Sequence, residues 1–468
     1  MKKLILIFLF CCAINAYSQT KLPSFFSNNM VLQQNEAVSI WGTDTPETKI
    51  SIKASWGEKV QTESDAAGKW KVKIETPEAG GPYSLSIKGS EEVLLQDILI
   101  GEVWLCSGQS NMEMVLKGYR NQPIIGSNEA ILNSGNNLIR VFKAERNASV
   151  EPLNDVEGDW TVSGPATSGD FSATAYFFAK KMQKVLDVPV GIITTSWGGS
   201  NVETWIDQKT LRNFEDLIIP TSVPEKAPNK VPTLLYNGML HPFLGFNIKG
   251  VLWYQGEANR VNYSEYKDLF SAMIESWRAN WSQGDFPFYF VQIAPYGYNG
   301  VNSAFVREAQ LQTMQTVANT GMAVTMDIGA CNSIHPPEKK LVGDRLAYWA
   351  LAKTYGIEGI AFSGPVYKSY DVDKGKVNVA FEYSEIGLYT FDSELTGFTI
   401  AGEDRDFHPA KAKINRDGTV TVWSDEVKEP VAVRYGFESC IKGTLYNVAG
   451  LPASSFRTDN WEEEKVVN

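Results

Sequence analysis

The chain has 468 residues, of which 43% are hydrophobic and 12% aromatic, and 43 Lys and Arg face 54 Asp and Glu. The formal charge of -11 at pH 7 argues against binding to nucleic acid or to an anionic membrane surface. Five cysteines in so long a chain form no disulfide framework, so stability is expected from core packing.

The first residues predict a secretion signal. Two lysines precede the apolar run Leu4–Ala13, which is too short to span a bilayer. We therefore expect a signal peptide over residues 1–18 and a secreted protein, periplasmic or extracellular, without a membrane anchor. Attachment as a lipoprotein through Cys11 or Cys12 is the weaker alternative, because bulky Phe10 stands where a small residue is expected.

Residues 19–97 show the alternation of strands with one buried face. Hydrophobic residues recur at every second position in Ile50–Ile52, Trp70–Ile74 and Tyr83–Ile87, and glycine-containing turns separate these runs. The pattern predicts an N-terminal β-sandwich-like domain.

Residues 98–363 alternate short apolar strands with amphipathic helices. The predicted strands are Glu102–Cys106, Val190–Thr195, Gly250–Tyr254, Phe288–Ile293 and Ala323–Asp327. Helical spacing marks Ala173–Leu186 and Tyr266–Trp281. This is an α/β pattern, which predicts a mostly parallel sheet with helices on both faces and reactive residues in the loops beyond the strand C-termini.

Residues 364–468 return to a period of two, as in Val377–Phe381 and Thr419–Trp423. A hairpin turn is predicted at residues 415–418. No flexible linker separates this C-terminal β region, so we expect it to pack on the central domain.

A serine follows the first central strand, in Gly108-Gln-Ser-Asn-Met112. At a strand end, backed by the amides of a starting helix, Ser110 is placed for nucleophilic attack. The alternative is that Ser110 only caps that helix, which serine often does. The five residues alone leave both roles open.

The next two loops offer donors for an oxyanion. A backbone amide of Gly198 or Gly199, in Ser-Trp-Gly-Gly-Ser, or the side chain of Gln255, in Trp-Tyr-Gln-Gly-Glu-Ala-Asn, could point at it. Glu257 could orient a loop or a substrate hydroxyl, and so could Asn111 beside the serine. Ordinary surface turns are the alternative for both segments.

Only three histidines are present. His335 lies in the loop from Asp327 to Pro336, between the last central strand and a helix, where it can reach a neighbouring strand end. His241 is the competing base or a supporting residue, and His408, in the C-terminal β region, is expected at the surface or a hinge.

These segments, in this order, resemble the sialate O-acetylesterases of the SGNH-hydrolase superfamily. The resemblance covers nearly the whole mature chain and includes the closing Gly-Leu-Pro-Ala-Ser-Ser-Phe-Arg. It implies a central SGNH-like sheet with Ser110 as nucleophile and His335 as base. It also implies an oxyanion hole formed by the Ser110 amide, a glycine of the Trp-Gly-Gly segment and Gln255. No metal or cofactor is expected.

The superfamily pattern has an aspartate three residues before the histidine, where this chain has Asn332. Two groups are therefore candidates to orient the His335 ring: a backbone carbonyl near Asn332, which would make a Ser-His dyad, or Asp327 folding back. The dyad is favoured, because an orienting acceptor need not be charged to fix the tautomer.

The resulting prediction is a carbohydrate O-acetylesterase that removes acetyl groups from sialic acid through an acetyl-enzyme. One alternative keeps the chemistry and changes the substrate to an acetylated plant polysaccharide such as xylan, xyloglucan or mannan. A second is a non-catalytic carbohydrate-binding protein, suggested by the two β regions and the aromatic content. A third is a glycosidase that uses Glu257 and Asp327 as its paired carboxylates.

Overall fold

The computed structural model describes residues 19–391 and 394–461. The predicted signal peptide lies outside these residues and stays a prediction. Within the described part of the chain, none of the helices has the length and apolar character needed to cross a membrane.

The N-terminal unit consists of strands in two sheets. Its strands are Val31–Gln33, Ala37–Thr43, Lys49–Ala54, Lys59–Glu63, Lys69–Glu75 and Gly80–Lys88. Ala37–Thr43 pairs with Lys69–Glu75, while Lys49–Ala54 pairs with both Lys59–Glu63 and Gly80–Lys88. The alternation predicted from the sequence is present, since Trp70, Ile74, Leu85 and Ile87 are buried between exposed or half-buried neighbours.

One long strand, Glu92–Gly108, joins this unit to the rest of the fold. Its first half pairs antiparallel with Gly80–Lys88, and its second half pairs parallel with Val190–Ser196 and Gly250–Tyr254. The boundary expected after residue 97 therefore falls within a continuous strand. Because that strand ends at Gly108, the N-terminal unit is directly connected to the loop that carries Ser110.

The central sheet has the predicted α/β architecture. In spatial order its strands are Thr320–Ala323, Phe288–Val291, Gly250–Tyr254, Glu92–Gly108, Val190–Ser196, Asn136–Ala144 and Gly158–Ser163. All neighbours are parallel except the last pair. The last predicted strand is displaced, since Thr320–Ala323 replaces Ala323–Asp327: Thr325 bonds the Gln292 carbonyl through its side chain instead of joining the ladder.

Helices cover both faces of this sheet. Ala173–Leu186, with the predicted bounds, and Lys339–Trp349 pack together in one hydrophobic cluster. Tyr263–Trp281 and Ala304–Thr316 pack together on the opposite face, where the apolar cluster continues into the N-terminal unit. The shorter α-helices are Ser110–Glu113, Ser127–Leu132 and Gln208–Leu211.

The C-terminal region forms small antiparallel sheets around its own core. Its strands are Val366–Asp373, Lys376–Glu382, Leu388–Tyr389, Phe398–Ala401, His408–Pro409, Lys411–Ile414, Val420–Trp423, Ala432–Tyr435, Tyr446–Asn447 and Phe456–Arg457. It contacts the central domain through a bidentate pair of Arg457 with Glu308.

A disulfide between Cys331 and Cys440 also joins the C-terminal region to the central domain. The expectation of a fold stabilised without disulfides is thus wrong for one pair. The pair was missed because an odd number of cysteines, three, follows the predicted signal peptide. The third, Cys106, is buried in the central strand and has no disulfide partner.

Candidate active site

Four loops meet at the C-terminal edge of the central sheet, and they follow the strands Glu92–Gly108, Val190–Ser196, Gly250–Tyr254 and Thr320–Ala323. The loop after Gly108 lies between those that follow Val190–Ser196 and Gly250–Tyr254, because these strands flank Glu92–Gly108 in parallel. Gly108 has a φ of +135°, and a Cβ at this position would lie 2.2 Å from the Tyr254 carbonyl oxygen. Only glycine allows the chain to turn this close to the next strand.

Ser110 is the first residue of a single helical turn, Ser110–Glu113. The capping position belongs to Gln109, which makes no side-chain cap hydrogen bond. The Oγ atom of Ser110 instead lies 2.7 Å from Nε2 of His335. Of the two roles that the sequence left open, the structure thus does not show the helix cap.

The other nitrogen of His335 faces Gln122. Its Nδ1 lies 2.5 Å from Oε1 of Gln122, and the Tyr119 ring packs against the imidazole in a T-shaped contact with 6.0 Å between the ring centroids. A carbonyl oxygen can only accept, so Nδ1 carries the proton. Nε2 is then left as the acceptor for the Ser110 hydroxyl, which is the tautomer that a general base requires.

Neither candidate from the sequence, Asp327 or the backbone near Asn332, is the hydrogen-bond partner of Nδ1. Asp327 is bound on both oxygens by Arg345, at 2.8 and 2.6 Å, and Asn332 is exposed on its loop. The acceptor behind His335 is thus uncharged, as the dyad interpretation proposed, but it is a side chain. Gln122 was missed because it belongs to an irregular loop and to no motif.

Burial and the nearby Lys339 ammonium lower the pKa of His335 from 6.5 to about 4. Both effects penalise the charged imidazolium, and Gln122 offers no negative charge to offset them. The ring is therefore neutral, and able to accept a proton, throughout the neutral pH range.

Two expected oxyanion donors are engaged elsewhere. The Gly198 amide donates to Oε2 of Glu113, at 2.9 Å. Gln255 is fully buried, and its Nε2 donates to the Ser200 carbonyl and to Asn259. Gln255 therefore supports the chain behind the Trp-Gly-Gly segment.

Two backbone amides near the serine hydroxyl, those of Ser110 and Gly199, are not engaged in hydrogen bonds among the described residues. A Cβ placed on the neighbouring Gly198 would lie 3.3 Å from Cβ of Ser110, which brings this segment against the serine.

Asn111 and Glu257 are buried behind the serine. Nδ2 of Asn111 donates to Oε1 of Glu257 at 2.6 Å and to the Ile334 carbonyl at 3.1 Å, and its Oδ1 accepts from Lys339. Burial raises the pKa of Glu257 and lowers that of Lys339 to about 7. Glu257 is therefore connected to the loops of the site and, with 3% of its surface exposed, is not placed to contact a substrate hydroxyl.

The other two histidines lie apart from Ser110. Nδ1 of His241 bonds the Leu153 carbonyl at 2.7 Å, and His408 bonds Glu426 in the C-terminal region. His241 thus positions the chain around Leu153, and His335 is the histidine that reaches the serine.

Comparison with known proteins identifies the family. The model of a family described as "Carbohydrate esterase, sialic acid-specific acetylesterase" matches residues 100–351, more than half of the chain. The chain belongs to this family. It is a carboxylic ester hydrolase, and family and fold together support O-deacetylation of carbohydrate, so the non-catalytic alternative is wrong.

Relatives of this carbohydrate esterase match over most of their length. The sialate O-acetylesterase of Mus musculus is 29% identical, over 89% of this chain and 89% of its own, and that of Homo sapiens is 29% identical, over 82% and 81%. The crystal structure of a carbohydrate acetylesterase from Xanthomonas citri is 37% identical, covers 95% of this chain and 100% of its own, and superposes with a TM-score of 0.87.

A cavity of about 360 Å³ with a mixed polar and apolar lining opens in this esterase beside Glu113, in the helical turn of the serine, and Tyr119, whose ring contacts that of His335. Its volume falls within the range of small-molecule sites, about 300–1,000 Å³. Arg146 lines it, paired with Glu113 and placed over the Trp197 ring at 5.4 Å. Glu145 and Asp170 add two further carboxylates. An aromatic ring and many polar groups suit a sugar.

Among the described residues, no group of three or more His, Cys, Asp and Glu side chains is arranged to hold a metal ion.

Proposed function

We propose that this carbohydrate esterase removes O-acetyl groups from sialic acid, with Ser110 as nucleophile and His335 as general base. The observation that carries the mechanism is the 2.7 Å contact between Oγ of Ser110 and Nε2 of His335. The sialate substrate is supported by the family and by relatives of that name that match over most of the chain.

In the proposed reaction, Oγ of Ser110 attacks the acetyl carbonyl carbon while Nε2 of His335 takes the hydroxyl proton. The amides of Ser110 and Gly199 donate to the oxygen that becomes negative. His335 then gives its proton to the departing sugar oxygen, which leaves as an alcohol. Water, deprotonated by the same nitrogen, attacks the acetyl-enzyme and releases acetate and free serine.

Gln122 keeps its contact with Nδ1 of His335 throughout this cycle. It fixes the tautomer, but as a neutral acceptor it stabilises the imidazolium less than a carboxylate would. His335 is therefore a weaker base than a carboxylate-backed histidine, and it stays unprotonated to a lower pH.

This predicts an unusual pH profile. The active form of His335 is the neutral ring, so the loss of kcat/KM for an aryl acetate through protonation of His335 should come as pH drops through about 4, well below 6.5. In Gln122→Glu, a carboxylate beside Nδ1 favours the imidazolium and raises the pKa of His335. The fall of kcat/KM on the acid side should therefore occur about 1–3 pH units higher than in the wild type.

Initial rates between about pH 3 and pH 9, with tryptophan fluorescence at each pH as the control for folding, measure both limbs. The fluorescence control is needed because the free energy of unfolding decreases as pH falls from 6.5 towards 4. In this range the unfolded chain binds a proton on His335 and the folded chain does not. A wild-type limb near 6.5, unmoved by Gln122→Glu, would contradict this account of His335.

A neutral acetylated polysaccharide is the second candidate substrate. The cavity lined by Glu113 and Tyr119 favours it in one respect, because the charge of Arg146 is already compensated by Glu113, while Lys143 shares the rest of the wall with the carboxylates of Glu145 and Asp170. A sialate carboxylate would have to share Arg146 with Glu113, whereas an uncharged xylose or mannose unit would not.

Acetate release from O-acetylated sialic acid, acetyl-xylan, acetyl-xyloglucan and acetyl-mannan separates these candidates, with Ser110→Ala as the blank. We expect Ser110-dependent acetate with the highest kcat/KM on sialic acid. A higher value on a polysaccharide would replace the substrate and keep the chemistry. Equal acetate from the blank would overturn the nucleophile.

We also infer export from the cytoplasm. The Cys331–Cys440 disulfide supports this, since such bonds persist in oxidising compartments, and the apolar segment at the start of the chain is typical of a signal peptide.

A further inference from the structure

Besides the contact of Ser110 with His335, Asn111 makes a second direct hydrogen bond between the loop of the serine and the loop of the histidine. It follows Ser110 in the chain, and its Nδ2 donates to the carbonyl of Ile334, which precedes His335. A contact between the immediate neighbours of the two reacting groups constrains the distance between the groups themselves.

The same side chain reaches the histidine segment on its other side. Oδ1 of Asn111 accepts from the Lys339 ammonium, at the start of the helix Lys339–Trp349. The bonds to Ile334 and Lys339 therefore bracket His335. A third bond, to Glu257, attaches Asn111 to the loop after Gly250–Tyr254.

Burial makes this arrangement rigid. Asn111 and Lys339 have no exposed surface, and Glu257 has 3%. The amide presents its N–H groups to a carboxylate and its oxygen to an ammonium, so an interchange of the two amide atoms would oppose like groups at both ends. The Lys339 ammonium also lies 5.2 Å from the Tyr254 ring, which leaves it little room to move.

We propose that Asn111, held between Lys339 and Glu257, is a positioning residue that sets the separation of Ser110 and His335. The proposal rests on the Ser110–His335 mechanism above. Gln122 fixes the orientation of the imidazole ring, while Asn111 fixes the distance between the two loops, so the site needs both.

The test is Asn111→Ala in the full-length enzyme, assayed on an aryl acetate. A small displacement of the reacting groups costs about 100-fold in rate, so kcat should fall by about that factor while KM changes by less than about threefold. Phosphonylation of Ser110 by a fluorophosphonate should slow in parallel, because it needs the same activated hydroxyl.

Asn447→Ala is the matched control. Asn447 is also a buried asparagine that donates to two carbonyls, those of Ser363 and Tyr383, but it lies in the C-terminal region. It should lose a similar amount of thermal stability and keep its kcat. Lys339→Met, which removes the ammonium and retains the apolar stem, should lower kcat by less than Asn111→Ala does, because the bonds of Asn111 to Ile334 and Glu257 remain, and it provides the test if Asn111→Ala does not fold.

A folded Asn111→Ala or Lys339→Met enzyme with wild-type kcat and labelling rate would overturn the positioning role, as would an equal loss of kcat in Asn447→Ala. Ser110→Ala separates the two proposals. If Ser110→Ala is inactive and Asn111→Ala is fully active, only the role of Asn111 fails. If Ser110→Ala retains activity, the mechanism beneath it fails.

Discussion

Replacing Ser110 with alanine is expected to lower kcat on an aryl acetate by about 10⁴-fold or more. The change removes the atom that forms the acetyl-enzyme, while the amides of Ser110 and Gly199 can still stabilise an oxyanion made by attacking water. His335→Ala should cost a similar factor, since Oγ of Ser110 then loses its proton acceptor at 2.7 Å. The double variant should be no worse than either single one, because the two residues act as a unit.

The measurement is steady-state kinetics together with mass spectrometry of the acetylated enzyme. Ser163→Ala is the control, as Ser163 is a buried serine that donates to the Ser134 carbonyl, distant from the site, and it should keep its kcat. An acetyl group found on another residue, or a Ser110→Ala enzyme of near-normal rate, would exclude Ser110 as nucleophile.

The sequence predicted the fold of the central domain because its signals are strong. The central strands are short apolar runs, and the helix Ala173–Leu186 shows its spacing over its full length. Ser110 and His335 could be paired in advance because both follow strands of one parallel sheet, whose C-terminal ends meet at one edge. The structure places the two side chains in contact there.

The partners of those two residues could not be predicted in the same way. Gln122 reaches His335 from a loop without periodicity, so its role depends on tertiary structure alone. Gln255 stands in a motif, but the direction of its amide is set by Asn259 and the Ser200 carbonyl. The residue type shows what a side chain can donate, whereas the surrounding fold determines to what it donates.

Arg307→Met should give a large loss of stability, although the residue lies outside the site. Arg307 is fully buried on the helix Ala304–Thr316 and donates to the carbonyls of Gly436 and Glu438 and to the hydroxyls of Ser303 and Ser455. Methionine fills part of the volume but leaves the carbonyls of buried Gly436 and exposed Glu438 without this donor, and the buried one costs about 1–3 kcal/mol.

Removal of the buried charge offsets part of this loss. Burial lowers the pKa of Arg307 to about 10, and none of its hydrogen-bond partners is a carboxylate, so the guanidinium itself is costly to bury. We expect the free energy of unfolding to fall by about 2 kcal/mol, because the unpaired Gly436 carbonyl and the lost bonds to the two serine hydroxyls outweigh the relief.

Urea unfolding followed by tryptophan fluorescence measures this change. Arg416→Met is the control, because Arg416 is an exposed arginine of the C-terminal region, and its replacement should change stability by less than about 0.5 kcal/mol. Unfolding of Arg307→Met at the wild-type urea concentration would contradict the prediction. The free energy gained by removing the buried charge would then equal that lost with its hydrogen bonds.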